Sequence, residues 1–256
     1  MSLRTFLRPR MLLSTTSMGE GFLTAHFGWP LAERLAYCFK KADHTFPSSD
    51  FYEAVGDLDP HGLMKRVERL GGALAEVLPS DPESAWARMQ AVLPEPLGPE
   101  GKTFNDGYWM LPLAAYWPLA QLKNYQVAAV ALPELTKRGT SEFAIRPFLE
   151  KYPEYFATRL QAWVSDPSFY VRRLASEGSR PKLPWKGKLK VSSAQSLHFF
   201  EVIGCLATDS SRYVRRSVGN HARDVRQINN SAVEAWLKSM NPPADVCKLA
   251  ASRTSK

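Results

Sequence analysis

An internal repeat in the C-terminal half constrains the fold of this chain more than any other feature of its sequence. The segment DPSFYVRRLASE at 166–177 aligns with DSSRYVRRSVGN at 209–220, at an offset of 43 residues. A weaker third copy, TSEFAIRPFL at 140–149, lies 26 residues before the first. Units of this size that each hold two helices bury their apolar faces only by stacking on their neighbours. The repeat therefore predicts a HEAT-like helical-repeat solenoid, an α-α superhelix.

Apolar residues recur at helical spacing through most of the chain, and Pro and Gly cluster between the periodic segments. The predicted helices cover residues 30–42, 62–78, 82–93, 111–123, 126–138, 141–150, 154–165, 168–178, 193–207, 211–226 and 230–240. No alternating strand pattern exceeds four residues. The sequence thus predicts an all-α fold in which residues 1–256 form a single domain, with residues 1–44 as an N-terminal arm and capping helices.

The positive charge of the chain is concentrated in its C-terminal half. Lys and Arg together number 33 against 25 Asp and Glu, which gives a net charge of +8. Residues 1–128 hold 12 basic and 14 acidic side chains, whereas residues 129–256 hold 21 and 11. A basic half on a near-neutral scaffold indicates a polyanionic partner, most commonly nucleic acid. We therefore expect a concave basic face that binds DNA, and a merely solvated basic surface is the alternative.

Cysteine usage and hydropathy exclude several classes of protein. The three cysteines, Cys38, Cys205 and Cys247, are odd in number and far apart, which argues against a disulfide framework and against a zinc site. No uncharged apolar run approaches the ~18–20 residues that span a bilayer. Phosphate-loop, dinucleotide and nucleophile-elbow motifs are missing. We expect a cytoplasmic, monomeric protein that uses no metal or cofactor and contacts no membrane.

Acidic side chains accompany the arginines of the repeated segments. Arg173 and Glu177 are four residues apart and share a helix face, as do Glu142 and Arg146. Asp224 lies one turn beyond the position that aligns with Glu177. Because carboxylates repel phosphate, a surface that only binds DNA has no use for them unless they meet something positive. The alternative is that each acid simply pairs with its own arginine, at ~0.2–0.5 kcal/mol per pair.

A basic insertion separates the two strongest copies of the repeat. It is the segment SRPKLPWKGKLKVSSAQ at 179–195, whose prolines stiffen it and exclude a helix. The cations around its Trp185 are Arg180, Lys182, Lys186, Lys188 and Lys190. A Trp in this setting can stack on a sugar or base while the cations hold phosphates. The alternative is a Trp packed onto the scaffold beneath a solvated loop.

Several stretches of the chain resemble the AlkC branch of the HEAT-like-repeat (AlkC/AlkD) DNA glycosylases. The most specific are SEFAIRPFL (141–149), VRRLASEGSRPKLPW (171–185) and YVRRSVGNHARD (213–224). The similarity continues in FPSSDFYEAV, KRVERLGGALAEVLPSD and the Met-Leu-Pro-Leu of residues 110–113, and covers roughly residues 45–240. The resemblance implies a bacterial, nucleoid-associated enzyme of base excision repair. It would excise cationic N3-alkylated bases, chiefly 3-methyladenine and 3-methylcytosine, from double-stranded DNA without base flipping.

The resemblance also implies roles for the residues that match these motifs. Glu142, Glu177 and Asp224 match the family's acidic active-site residues. Arg173 matches an arginine that packs among those acids, and Trp185 matches an aromatic residue that approaches the damaged nucleotide. The candidate DNA-contacting residues are Arg146, Arg172, Arg180, Lys182, Lys186, Lys188, Arg215, Arg216 and Asn220. The chain before residue 45 matches poorly, and we expect no C-terminal immunoglobulin-like domain of the kind that some members carry.

Two other functions stay open at this point. A non-catalytic HEAT-like protein that binds DNA would share the basic surface, and a repeat scaffold that binds an acidic protein would share the fold. The acids favour a glycosylase over a DNA binder, and the Trp-bearing loop favours either over the scaffold. A base that is already cationic is a good leaving group, so the chemistry requires carboxylates that stabilise an oxocarbenium-like sugar rather than a general acid.

Overall fold

The computed structural model describes residues 24–98, 107–184 and 187–252, and within them the chain is almost entirely helical. The all-α prediction is therefore confirmed. The chain divides into two compact units, one that ends at Ser141 and one that begins at Glu142. That residues 1–256 form a single domain stays a prediction, and the predicted N-terminal arm and capping helices lie partly outside the described residues.

The first unit is built on close contact between two helices. Its helices are α1 (Trp29–Ala42), α2 (Ser48–Val55), α3 (Leu63–Val77), α4 (Pro82–Gln90), α5 (Leu111–Ala120) and α6 (Tyr125–Thr136), with a 3-10 turn at Tyr108–Met110. Helix α3 packs against α5 at Gly71, where an added Cβ would lie 2.9 Å from the Pro112 carbonyl oxygen. Trp109 and Trp117 are fully buried beside this contact and fill the core of the unit.

The second unit arranges its helices in the two layers expected of a helical repeat. Its helices are α7 (Glu142–Lys151), α8 (Pro153–Trp163), α9 (Phe169–Gly178), α10 (Ser193–Ile203), α11 (Arg212–Arg226), α12 (Asn230–Met240) and α13 (Ala244–Ala251), with a 3-10 turn at Gly204–Thr208. In one layer α7 contacts α9, α9 contacts α11 and α11 contacts α13, while α8 contacts α10 behind them. The repeated Tyr-Val-Arg-Arg sequences thus lie on neighbouring helices of the same layer.

The first arginine of each repeated Val-Arg-Arg sequence links one repeat to the next. Arg172 donates to the Asp166 carbonyl at 2.9 Å and to both carboxylate oxygens of Asp209. Arg215, at the equivalent position, donates to the Asp209 carbonyl at 2.8 Å and to the Asp245 carboxylate at 3.2 Å. Both guanidinium groups are thus engaged by the scaffold, whereas the sequence assigned them to DNA.

The structure differs from the sequence prediction in three local features. Helices α2 and α13 lie in segments with no predicted helix, because each is only eight residues long and has just two buried positions. The basic insertion, predicted only to be non-helical, holds a small hairpin of β1 (Lys182–Leu183) and β2 (Gly187–Lys188), with Lys182 paired opposite Lys188. None of the described helices is long and apolar enough to cross a membrane.

Candidate active site

Three acidic side chains converge from three successive helices of one layer. Glu142 opens α7, Glu177 lies one residue before the end of α9, and Asp224 lies two residues before the end of α11. Their relative exposures are 9%, 8% and 6%. Because carboxylates are rarely buried this deeply without charged partners, their surroundings decide what they can do.

A close approach of two helices brings the first two acids together. The last residue of α9 is Gly178, and a Cβ added there would lie 2.6 Å from Cγ2 of Ile145 on α7. Only a glycine lets the end of α9 approach α7 this closely. The short distance between Glu142 and the end of α9 therefore depends on a residue with no side chain.

Two arginines alternate with the three acids. The guanidinium of Arg173 lies 3.6 Å from Glu142 and 3.9 Å from Glu177. That of Arg180 donates to Glu177 at 2.7 Å and to Asp224 at 2.9 Å. We call this sequence of five side chains, Glu142–Arg173–Glu177–Arg180–Asp224, the carboxylate–arginine chain. With all groups ionised it carries one more negative than positive charge.

Simple pairing of each acid with an arginine on its own helix does not describe this site. Glu142 contacts Arg173 of the next helix, whereas Arg146, on the same helix as Glu142, donates to the carbonyl oxygens of Gly178, Arg180 and Gly187 at 3.4, 2.8 and 3.1 Å. Burial lowers the pKa of Arg146 to about 10. These contacts of Glu142 and Arg146 link neighbouring repeats, and the four-residue spacing within one helix does not predict contacts of that kind.

A buried serine hydroxyl binds the carboxylate oxygen of Glu177 that the two arginines do not contact. The hydroxyl of Ser217 donates to Glu177 at 2.6 Å and itself accepts from Ser176 at 2.6 Å. Nδ1 of His221 lies 2.9 Å from the Ser176 carbonyl oxygen, and burial lowers the pKa of this histidine to about 3. Neither serine was predicted from the sequence, where the signal for them is their position on the same helix faces as Arg173 and Asp224.

The three carboxyl groups have different electrostatic environments. Burial alone would raise the pKa of Glu177, but the charges of Arg173 and Arg180 and the Ser217 hydrogen bond outweigh it, and the pKa is lowered. Burial raises the pKa of Glu142 and of Asp224, and their arginine neighbours offset this only in part. Glu177 is therefore the acid whose negative charge the protein holds most firmly.

One carboxylate oxygen of the chain has a charged neighbour but no hydrogen bond. Oε2 of Glu142 is buried and lies 3.6 Å from the Arg173 guanidinium, and within residues 24–98, 107–184 and 187–252 it has no hydrogen-bond partner. Its Arg173 neighbour is stacked on the ring of Tyr213, with 4.4 Å between the guanidinium carbon and the ring centroid. A buried acceptor without a hydrogen bond costs about 1–3 kcal/mol, so this oxygen is poised for a positive or hydrogen-bonding ligand.

The residues predicted to contact DNA fall into two groups. Arg146, Arg172, Arg180 and Arg215 are engaged by protein acceptors. The side chains of Lys182, Lys188 and Arg216 are exposed, and that of Asn220 is half-buried. Trp185 and Lys186 lie outside the described residues. Contact of Lys182 and Lys188 with phosphate stays a prediction, and of the four engaged arginines only Arg180 belongs to the carboxylate–arginine chain.

A cavity of about 460 Å³ lies beneath the hairpin and reaches the carboxylate–arginine chain at one end. It is lined by Lys182 and Lys188 from the hairpin, and by Asp224 and Gln227 from the end of α11. In the described part of the chain, no group of three or more His, Cys, Asp or Glu side chains is arranged to hold a metal ion.

Comparison with known proteins gives two similar chains. The uncharacterized protein YhaZ of Bacillus subtilis (strain 168) is 34% identical over 167 residues, which is 65% of this chain and 44% of that protein. The solved structure of Pseudomonas fluorescens alkylpurine DNA glycosylase AlkC, bound to DNA containing an abasic site analog, is similar with a TM-score of 0.78 and 28% identity over 89% of this chain. No protein-family model matches.

These similarities confirm two expectations from the sequence, the resemblance to AlkC and the HEAT-like helical-repeat fold class. The chain spans 63% of the length of the solved AlkC chain and less than half of the curated relative.

Proposed function

We propose that this AlkC-like chain is a DNA glycosylase that releases alkylated bases from double-stranded DNA. The observation that carries the proposal is the carboxylate–arginine chain, which joins three buried acids across three neighbouring repeats. A scaffold gains little from burying three carboxylates, because desolvation offsets much of what their ion pairs contribute. The similar AlkC structure supports the same conclusion, since it was solved with DNA that lacks a base.

The proposed reaction is hydrolysis of the N-glycosidic bond of cationic N3-alkylated bases such as 3-methyladenine and 3-methylcytosine. Alkylation at N3 places a positive charge on the base, so the base can leave without being protonated. As the bond breaks, positive charge moves onto the deoxyribose, which becomes oxocarbenium-like. Fixed negative charges placed beside that sugar stabilise the transition state more than the ground state. The reaction proposed in this way uses no metal or cofactor.

The acids would divide this work according to their environments. Glu177, with its lowered pKa, supplies a permanent negative charge to the developing sugar cation. Glu142 has an oxygen without a hydrogen bond and can hold a water molecule for attack at C1′, acting as the base that orients it. Asp224 adds negative charge from the side of the hairpin cavity. Arg173 stays between the first two acids and limits their repulsion of the DNA backbone.

The hairpin would hold the DNA against these acids. Lys182 and Lys188 are directly opposite each other on β1 and β2, and like charges in this position destabilise a strand pair. A phosphate placed between them would relieve the repulsion. In the sequence, Trp185 and Lys186 stand between β1 and β2, and we propose that stacking of Trp185 on the damaged nucleotide lets the base react within the duplex, without flipping. We also propose that the protein binds DNA on a concave basic face, acts as a monomer and associates with the bacterial nucleoid.

Release of free base from methylated duplex DNA tests the proposal. We expect the wild-type chain to release 3-methyladenine or 3-methylcytosine, and the double variant Glu177→Gln with Asp224→Asn to release at least ~100-fold less while still binding DNA. A matched control is Glu134→Gln, since Glu134 is also held by two cations but lies in the first unit. Equal release by the double variant would reject these residues, and DNA binding without any release would favour the non-catalytic DNA-binding protein.

A further inference from the structure

Arg180 occupies a position that the proposed chemistry does not yet use. It lies two residues beyond the end of α9, it is 4% exposed, and its guanidinium contacts two carboxylates that lie on different helices. Nε donates to Asp224 and Nη1 donates to Glu177. A guanidinium whose donors are already directed at two acids has little left to offer a phosphate, so its function lies within the protein.

The main chain of Arg180 is held as firmly as its side chain. Arg146 of α7 donates to the Arg180 carbonyl oxygen on one side of the hairpin and to the Gly187 carbonyl oxygen on the other. One turn further along α7, the Glu150 carboxylate accepts from the Lys190 backbone N–H at 3.0 Å. Helix α7 therefore contacts the hairpin segment on both sides, before β1 and at and just after β2. The same helix carries Glu142 as its first residue.

We infer, on the basis of the glycosylase function proposed above, that Arg180 is a positioning residue for the two acids of the site. Its guanidinium group donates to both carboxylates and so fixes the distance between Glu177 and Asp224. Its backbone connects that pair to the hairpin that would hold the DNA. Arg146 completes the arrangement by fixing the base of the hairpin on α7. The spacing of the acids and the position of the hairpin are therefore set by one shared set of contacts.

Removal of the Arg180 charge would change both carboxyl groups in a predictable direction. Arg173 and the Ser217 hydroxyl would still face Glu177, with Glu142 beyond Arg173. Arg223, 3.7 Å away, would still face Asp224, with the charge of Arg146 and the two lysines of the hairpin cavity further off.

Because an opposite charge within about 4–6 Å lowers a carboxyl pKa by about 1–3 units, we expect both pKa values to rise in Arg180→Met. The rise should be larger for Asp224, because Glu177 keeps the Ser217 hydrogen bond in addition to an arginine at a similar distance.

The test combines NMR titration of the carboxyl carbons with the pH profile of base release. In Arg180→Met we expect the Glu177 and Asp224 pKa values, and the acidic limb of kcat/KM, to move up by about 1–3 units. In Arg180→Lys the charge remains but cannot span both acids. We therefore expect the acidic limb to stay near that of the wild type while kcat falls at least ~10-fold. This split separates positioning from a simple loss of stability.

The matched control is Arg138→Met, which removes an arginine–glutamate contact of 3.1 Å in the first unit. We expect it to leave both carboxyl titrations and the pH profile unchanged. If Arg180→Met does not fold, Arg180→Lys tests the inference by itself. An unchanged kcat in Arg180→Lys would overturn the inference. Unchanged carboxyl titrations in a folded Arg180→Met would overturn it as well. If the wild-type chain releases no base, the proposed function fails, yet the titrations still test the positioning of the acids.

Discussion

Replacement of Ser217 by alanine tests how firmly the protein holds the charge of Glu177. The Ser217 hydroxyl donates to Glu177 and accepts from Ser176, each at 2.6 Å, and both serines are fully buried or nearly so. A hydrogen bond to a charged group contributes about 1.5–3 kcal/mol, and the variant also leaves the Ser176 hydroxyl without this acceptor. We expect Ser217→Ala to lower the free energy of unfolding at neutral pH by about 2–3 kcal/mol.

The size of this loss should depend on pH in a defined direction. The pKa of Glu177 is lowered in the folded protein, and the Ser217 hydrogen bond is one of the causes. The stability that comes from this ionised carboxylate is therefore present above the unfolded-state pKa of about 4.3 and is lost as the pH falls through the folded-state pKa. The difference between wild type and Ser217→Ala should be full at pH ~7 and shrink below pH ~4.

Urea unfolding at these two pH values measures the effect. A suitable control is Ser141→Ala, because the buried Ser141 hydroxyl donates to the neutral Leu132 carbonyl oxygen at 3.1 Å. It should cost about 1 kcal/mol, with little dependence on pH. Equal losses for the two variants at every pH would refute the reasoning that Ser217 stabilises a charged Glu177.

Three further outcomes follow from the same contacts. Gly178→Ala should lower the free energy of unfolding, measured by urea titration, by about 1–3 kcal/mol and should reduce base release, because the new Cβ would contact α7. Its control is Gly72→Ala, where the new Cβ has nothing within 4 Å; it should be neutral or stabilising in the same titration. Asp209→Ala should cost about 3 kcal/mol in thermal unfolding, because it leaves a half-buried arginine of the repeat linkage without its carboxylate. Lys182→Ala and Lys188→Ala should each make the log–log salt dependence of DNA binding shallower by about 1, measured by fluorescence anisotropy; unchanged slopes would remove the hairpin from the DNA contact.

Much of the fold follows from the sequence because it depends on local periodicity. The helical spacing of apolar residues fixed most helices to within a few residues, and the alignment of 166–177 with 209–220 placed two neighbouring helices of one layer. The short helices α2 and α13 escaped prediction because two buried residues are too few to establish a period. Their stability comes from the helices on which they pack.

The site was harder to predict because its contacts join residues that are far apart in sequence. Motif similarity identified the three acids, but the spacing of Glu142 and Arg146 suggested a pair that the structure does not contain. Arg180 could be read only as one more cation of a basic loop, since its partner Asp224 is 44 residues away. Which arginine faces an acid and which faces solvent depends on how the repeats stack, and no local pattern encodes that.

The most direct test of the central claim is a structure of this protein bound to duplex DNA that contains a cationic mimic of the oxocarbenium sugar. We predict that the positive ring lies against the carboxylates of Glu142, Glu177 and Asp224. Lys182 and Lys188 should lie on the phosphates beside it. A mimic seated elsewhere in the complex, with these carboxylates bound only to their partners within the protein, would contradict this claim.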